Sequence, residues 1–309
     1  MIGFLAAAGT PPVDVSAHLS QATTALWLLL ATVLALIVVR FDVFRRLWLQ
    51  ATDPRPVACF RILFGLVVLW SLLDMLPYTT MLFTDEGVFA PDVARARFAR
   101  DLNYHWHPEH GFDFGYSWLY TLAGRASLLH FGSPVWLAYT MFAAGIGACL
   151  LMIVGLWTRV STLACWFCVH TLFLYAPLWH AGGDTVLRIF LLLGLCSRWG
   201  EAYSLDRYRA LRRALADPKC QGYPRLPAIP AWPVHMMLVQ LAVIYGTTGL
   251  VKTGIAWRDG TALYYASSLA HFYRFPEQVT LASYLQGLHI LPALTWLTRI
   301  WEVGFPLAL

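Results

Sequence analysis

Apolar runs of spanning length occur at about 25–39, 57–76, 135–156, 160–178, 185–200, 233–251 and from about 290 onward. A helix of about 20 apolar residues, rising 1.5 Å per residue, crosses the roughly 30 Å hydrocarbon core of a bilayer. The pattern predicts an all-α, polytopic transmembrane bundle with six full spans and a seventh that is cut short. The sequence stops at Phe305-Pro306-Leu307-Ala308-Leu309, inside the last apolar run, so the natural protein is expected to be longer. The polar intervals are uneven. Residues 77–134 form a 58-residue stretch too long for a turn and too aromatic for a disordered linker, and are predicted to fold as an extracytoplasmic cap of short helices. Residues 198–230 form a basic loop, within which Ser204 to Arg213 reads as an amphipathic helix suited to an anionic leaflet. We divide the chain into an N-terminal segment with the first span, 1–51, and a membrane domain, 52–309.

Composition agrees with the pattern. With 59% hydrophobic and 13% charged residues, and a mean hydropathy of +0.58, apolar side chains exceed what a water-soluble core buries. Fourteen tryptophans and fourteen tyrosines suit two interfacial belts. The net charge of +5 comes almost wholly from arginine in short loops, which speaks for membrane orientation and against nucleic-acid binding. Four arginines lie between Arg40 and Pro56, one at Arg159, and seven basic residues between Arg198 and Pro230, whereas the 77–134 loop has four arginines against six acidic residues. The arginine-rich loops are therefore predicted to be cytoplasmic, with the N-terminus outside. Residues 1–24 carry no lysine or arginine and so lack the charged start of a secretory signal.

Charges inside apolar runs are costly, so each asks for a partner or a purpose. Lys252, one of two lysines among 22 basic residues, directly follows the run Met236 to Val251. It is either an interfacial anchor or a base tuned by burial. Asp184 and Arg188 are spaced to pair on one helix, either pinning it or holding a ligand oxygen. Arg299 and Glu302 are expected to form an intramembrane charge pair, or else part of a proton route. Arg61, near the inner edge, is expected to snorkel. His105-Trp106-His107-Pro108-Glu109-His110 crowds metal donors together, but its proline precludes a helical ligand pair, so an aromatic cap is expected and no metal. Cys165 and Cys168 form a CxxC that, within a helix, only shares one face and reads as packing. No phosphate loop, nucleotide fingerprint or Ser-His-Asp arrangement is present.

Four motifs occur in order: Phe83-Thr84-Asp85-Glu86-Gly87-Val88; Gly182-Gly183-Asp184 with Leu187-Arg188; Arg198-Trp199 with Tyr203-Ser204-Leu205-Asp206; and Gly249-Leu250-Val251-Lys252 with Trp257-Arg258-Asp259-Gly260. In these, residues 52–309 resemble the HTTM (horizontally transferred transmembrane) domain family, which includes vitamin K-dependent gamma-carboxylase. The resemblance implies a lysine base, matched by Lys252, that deprotonates a vitamin K-like hydroquinone outside the cytoplasm. Oxygen then converts the quinol to an epoxide, and the strong base formed on the way removes a glutamate gamma-proton before carbon dioxide adds. The Gly182-Gly183 pair resembles that of bacterial-looking members, and the expected location is a multi-pass protein of a bacterial inner membrane.

An ordinary lysine, with a pKa near 10.4, is neutral at pH 7 about one time in 2,500, a handicap of roughly 4.6 kcal/mol. Burial at the mouth of an apolar bundle would lift much of that handicap. The resemblance thus implies a quinol-linked membrane enzyme of lyase and oxidoreductase character. Lys252 is its candidate base, and His180, Asp184, Arg188, Trp257 and Asp259 shape a site for reduced quinone. Membrane lipid and a protein substrate are its expected partners. The other class left open is a non-catalytic membrane subunit that holds a partner protein or lipid in the same bundle.

Overall fold

The computed structural model describes residues 27–28, 31–32, 34–35, 38–88, 106–107, 111–112, 127–130, 132–175, 182–217, 223–269 and 277–308. It divides into two compact units, residues 1–50 and 51–309. In the first, the described positions from 27 to 39 are helical, and helix α1 (Phe41–Trp48) stacks Phe41, Phe44 and Trp48 along one face. That i, i+3 and i+4 spacing leaves Asp42, Arg45 and Arg46 for the polar face, as an interfacial helix requires.

The second unit is mostly helical. Helix α2 (Pro54–Met75) starts where Asp53 accepts a hydrogen bond from the Arg55 N–H and Pro54 occupies the first turn. It runs through a 3₁₀ turn at Leu76–Tyr78 into α3 (Thr79–Phe83). There follow α4 (Val135–Val154), α5 (Thr158–Tyr175), α6 (Gly182–Cys196), α7 (Leu205–Leu215) and α8 (Trp232–Val251). A short turn, α9 (Ile255–Arg258), leads to α10 (Ala262–Ser268), α11 (Glu277–Gly287) and α12 (Ile290–Ala308).

Three helical stretches are long and apolar enough to cross a membrane among the described residues: Pro54–Phe83, α4 and α8. The runs expected at 160–178, 185–200 and beyond 290 are also helical, as α5, α6 and α12. Helix α6, at 15 residues, rises only about 22 Å, and α12 carries Arg299 and Glu302 within its length.

Helices α2, α4, α5 and α6 share one apolar core. Phe64, Val68 and Leu72 of α2 meet Phe142 and Met152 of α4, Val169 and Leu172 of α5, and Phe190 and Leu191 of α6. Cys165 and Cys168 are buried in it, as the packing reading of the CxxC requires. Large apolar side chains such as Leu63, Trp70, Trp136 and Val160 point outward, a surface that water disfavours and lipid accepts. Helix α12 packs against α8 and against α10 and α11.

Two short ribbons complete the described structure. Strands β1 (Ala51–Thr52) and β4 (Ile229–Pro230) pair antiparallel, so the entries to α2 and α8 are tied together at one end of the unit. Strands β2 (Trp106–His107) and β3 (Gly111–Phe112) pair antiparallel. These four described positions of the expected helical cap are strand, whereas the rest of the histidine-rich motif lies outside the described residues. Most of residues 89–126 lie outside the described residues.

Candidate functional site

Gly249 sets up the site. A side-chain carbon there would stand 2.9 Å from Val303 Cγ2 and 3.0 Å from Glu302 Cβ, so only glycine lets α12 approach α8 this closely. One turn later α8 ends, and Lys252 takes the C-cap position with φ −73° and ψ 65°. Its Nζ donates to both carboxylate oxygens of Glu302, at 2.5 and 2.6 Å. The ammonium also lies 4.5 Å from the ring centroid of Trp257, carried by α9 just past the Gly254 N-cap. The Lys252 and Glu302 side chains retain only 22% and 11% of their exposure. A carboxylate, an ammonium and an aromatic face from three elements thus meet at one point.

This geometry corrects the expected partner of Glu302. Arg299 is half-exposed and makes no ion pair among the described residues, whereas the carboxylate turns to Lys252, 50 residues away in sequence. Three residues along a helix leave a rotation of about 60° between side chains. The face bearing Glu302 is the one that Gly249 admits to α8. The depth of Glu302 also differs from what its own apolar run implies. Gly246 lies against Pro306 and Gly249 against Glu302 and Val303, so α8 and α12 run antiparallel and the carboxylate is level with the end of α8. The first half of α12 extends past that level, where Thr295 accepts from the Leu263 N–H and donates to Gly260 O.

The other predicted residues are distributed differently. Asp259 is exposed at the end of α9, two residues beyond Trp257. Asp184 and Arg188 sit in the first turns of α6, and Arg188 Nη2 donates to Thr185 Oγ1 at 3.2 Å. Arg188 Nε is buried without a hydrogen-bond partner among the described residues. The polar contacts of Lys252 go to Glu302 and Trp257, not to Asp184 or Arg188. His180 lies outside the described residues. The missed element was therefore the Lys252–Glu302 link. Its signal was present in the chain: a lysine at the end of one apolar run, a glutamate inside another, and a glycine three residues before the lysine.

A second polar cluster lies at the opposite end of α8, among the residues of the Arg198–Asp206 motif. Arg61 does not snorkel: it is 0% exposed and donates to the carbonyls of Trp199 at 3.0 Å, Tyr203 at 2.6 Å and Ile153 at 3.4 Å. A guanidinium fork reaches one carbonyl in the last turn of α4 and two in the segment that follows α6. Trp199 is buried against Gly194, whose missing side chain makes room for the indole, and its Nε1 donates to Thr162 Oγ1. Ser204 caps α7 by accepting from the Arg207 N–H. Asp206 caps α5, accepting from the Trp157 N–H, the Thr158 N–H and the Thr158 hydroxyl at 2.7–2.9 Å. Burial works against the charge on Asp206, but those donors outweigh it and hold the carboxyl below its ordinary range.

Compared with known proteins, the chain matches no family model, no curated protein and no solved structure.

Proposed function

We propose that this is an integral membrane protein of six full spans and a further one, akin to the HTTM domain family, that carries out quinol-linked, carboxylase-like chemistry at the Lys252–Glu302 pair. The observation that carries the reading is the ammonium held by a mostly buried carboxylate under an aromatic ring, at the end of an apolar helix. A groove of about 350 Å³ supports it. Lined by Ala242, Val243, Gly246, Thr247, Leu250, Val303 and Pro306, the groove lies between α8 and α12 and ends beside the pair. An isoprenoid tail fits this almost wholly apolar trough, with its ring reaching Lys252.

The pair also answers how a lysine becomes a base. A proton passed from the ammonium to Glu302, across a contact of 2.5–2.6 Å, leaves a neutral amine. The amine then takes the hydroquinone O–H proton, and the electron pair stays on the phenolate oxygen. Direct transfer to Glu302 reaches the same end state, with a protonated Glu302 and an ammonium facing the phenolate. An ordinary phenol near 10 and an ordinary glutamate near 4.3 differ by about 5.7 pKa units, about 8 kcal/mol. The ammonium beside the phenolate and the exclusion of water are what offset that gap.

The test is mass spectrometry of lipid-soluble molecules co-purifying with the protein, alongside hydroquinone turnover, in wild type, Lys252→Ala and Glu302→Gln. We expect a bound quinone in the wild type that is lost in Lys252→Ala, and turnover that falls in both variants. No quinone in any sample, with turnover equal in all three, removes the reading. The same ion pair favours a second reading, a non-catalytic subunit in which Lys252 and Glu302 pin α8 to α12. A protein partner recovered in fixed ratio, with no quinone, selects it.

A further inference from the structure

A cavity of about 270 Å³ opens at the arginine-rich end of the second unit, where α4 and α6 finish and α5 and α7 begin. Arg159, Arg198 and Arg207 line it, with Trp199, Gly200 and Ala210 forming much of the remaining wall. Its two carboxylates are already engaged. Glu201 is bound by Arg198 at 2.5 Å, and Asp206 is taken up by the start of α5. Arg207 reaches the carbonyls of Pro224 and Arg225, which fixes its guanidinium in the wall. Arg159 is exposed and has no hydrogen bond or ion pair among the described residues. The cavity therefore sets three guanidinium groups against two carboxylates, one net positive charge, and Arg159 is the guanidinium left without an acidic partner among the described residues. Outside it, α7 adds Arg209, Arg212 and Arg213, so the surrounding field is also positive.

We propose that this cavity binds a phosphate group, with Arg159 as the free ligand and Arg198 and Arg207 as its fixed walls. Guanidinium is the side chain best matched to phosphate oxygens. At the ends of membrane-length helices, basic pockets meet the headgroup layer, where phosphodiesters are concentrated. The volume suits a headgroup with its waters, at about 30 Å³ each, rather than a whole lipid. The phosphate belongs either to an anionic phospholipid or to a free soluble anion. This site is at the opposite end of α8 from Lys252, and the inference stands whether or not the protein handles a quinol.

The experiment uses the full chain in nanodiscs of phosphatidylcholine with graded phosphatidylglycerol, counting retained lipids by native mass spectrometry. Wild type is expected to retain phosphatidylglycerol about tenfold in preference to phosphatidylcholine, and Arg159→Gln to lose about tenfold in that preference. Arg159→Lys should keep most of it, and Arg213→Gln, outside the cavity, all of it. Thermal unfolding in pure phosphatidylcholine should be the same for wild type and Arg159→Gln, which separates binding from folding. If no lipid preference exists but inorganic phosphate raises the unfolding temperature of wild type and not of Arg159→Gln, the phosphate is of soluble origin and the site stands. A preference untouched by Arg159→Gln, or lost equally in Arg213→Gln, overturns the proposal, as does a response to neither phosphatidylglycerol nor phosphate.

Discussion

Removing either member of the Lys252–Glu302 pair should cost at least as much as removing both, and the size of the coupling follows from the contact. At 2.6 Å, two unit charges attract by about 1.6 kcal/mol in a water-like medium and about 6 kcal/mol at an effective dielectric of 20. With 22% and 11% of the side chains still exposed, the environment lies between those limits, and part of the attraction is offset by desolvation. We expect Lys252→Met to destabilise by about 3 kcal/mol, because the carboxylate left behind has little access to water. Glu302→Gln should cost about 2 kcal/mol, since the ammonium keeps Trp257 and has more room to reach solvent. The double variant should also cost about 2 kcal/mol, giving a coupling of about 3 kcal/mol. The assay is reversible unfolding in mixed micelles or bicelles, repeated at low and high salt, and the coupling should change little with salt because the pair is mostly buried. A coupling under about 0.5 kcal/mol would refute both the pinning role and the proton-sharing role, as it would mean that the two charges ignore each other.

Other outcomes follow from the same geometry. Gly249→Ala should push α8 from α12 and cost about 1–3 kcal/mol, while abolishing the Lys252–Glu302 coupling measured in that background. Arg61→Met should cost about 3 kcal/mol because it strands the Trp199 and Tyr203 carbonyls, and Arg61→Lys should fail to restore stability since an ammonium lacks the fork, both read by unfolding. Asp206 has a folded-state pKa below its unfolded value, so its contribution is complete above the ordinary value of about 3.9 and is lost as pH falls through the folded value. The stability difference between wild type and Asp206→Asn should therefore be constant from about pH 5 to 7 and shrink below about pH 4, measured by unfolding across that range. A difference that grows on acidification would contradict the capping role.

Much of the architecture was legible because helices long and apolar enough to cross a membrane show in composition alone. The helices at 54–75, 135–154 and 232–251 coincide with apolar runs, since a backbone that leaves water must satisfy its own hydrogen bonds. Local chemistry was also readable: Ser204 starts α7 as expected of a capping hydroxyl, and Cys165 and Cys168 share a buried face because three residues make nearly one turn. Pair partners were not readable. Arg299 stood nearest to Glu302 in the chain, yet the carboxylate went to Lys252, because a glycine on the neighbouring helix set which faces touch. Arg61 likewise read as an edge residue able to reach water, and only the return of the 199–203 turn over α2 buried it and supplied its carbonyls. Hydrophobicity is a property each residue carries with it, so the sequence by itself determined the helices and their apolar surface. Which charge meets which depends on how helices distant in sequence approach one another, and that was decided by the tertiary structure alone.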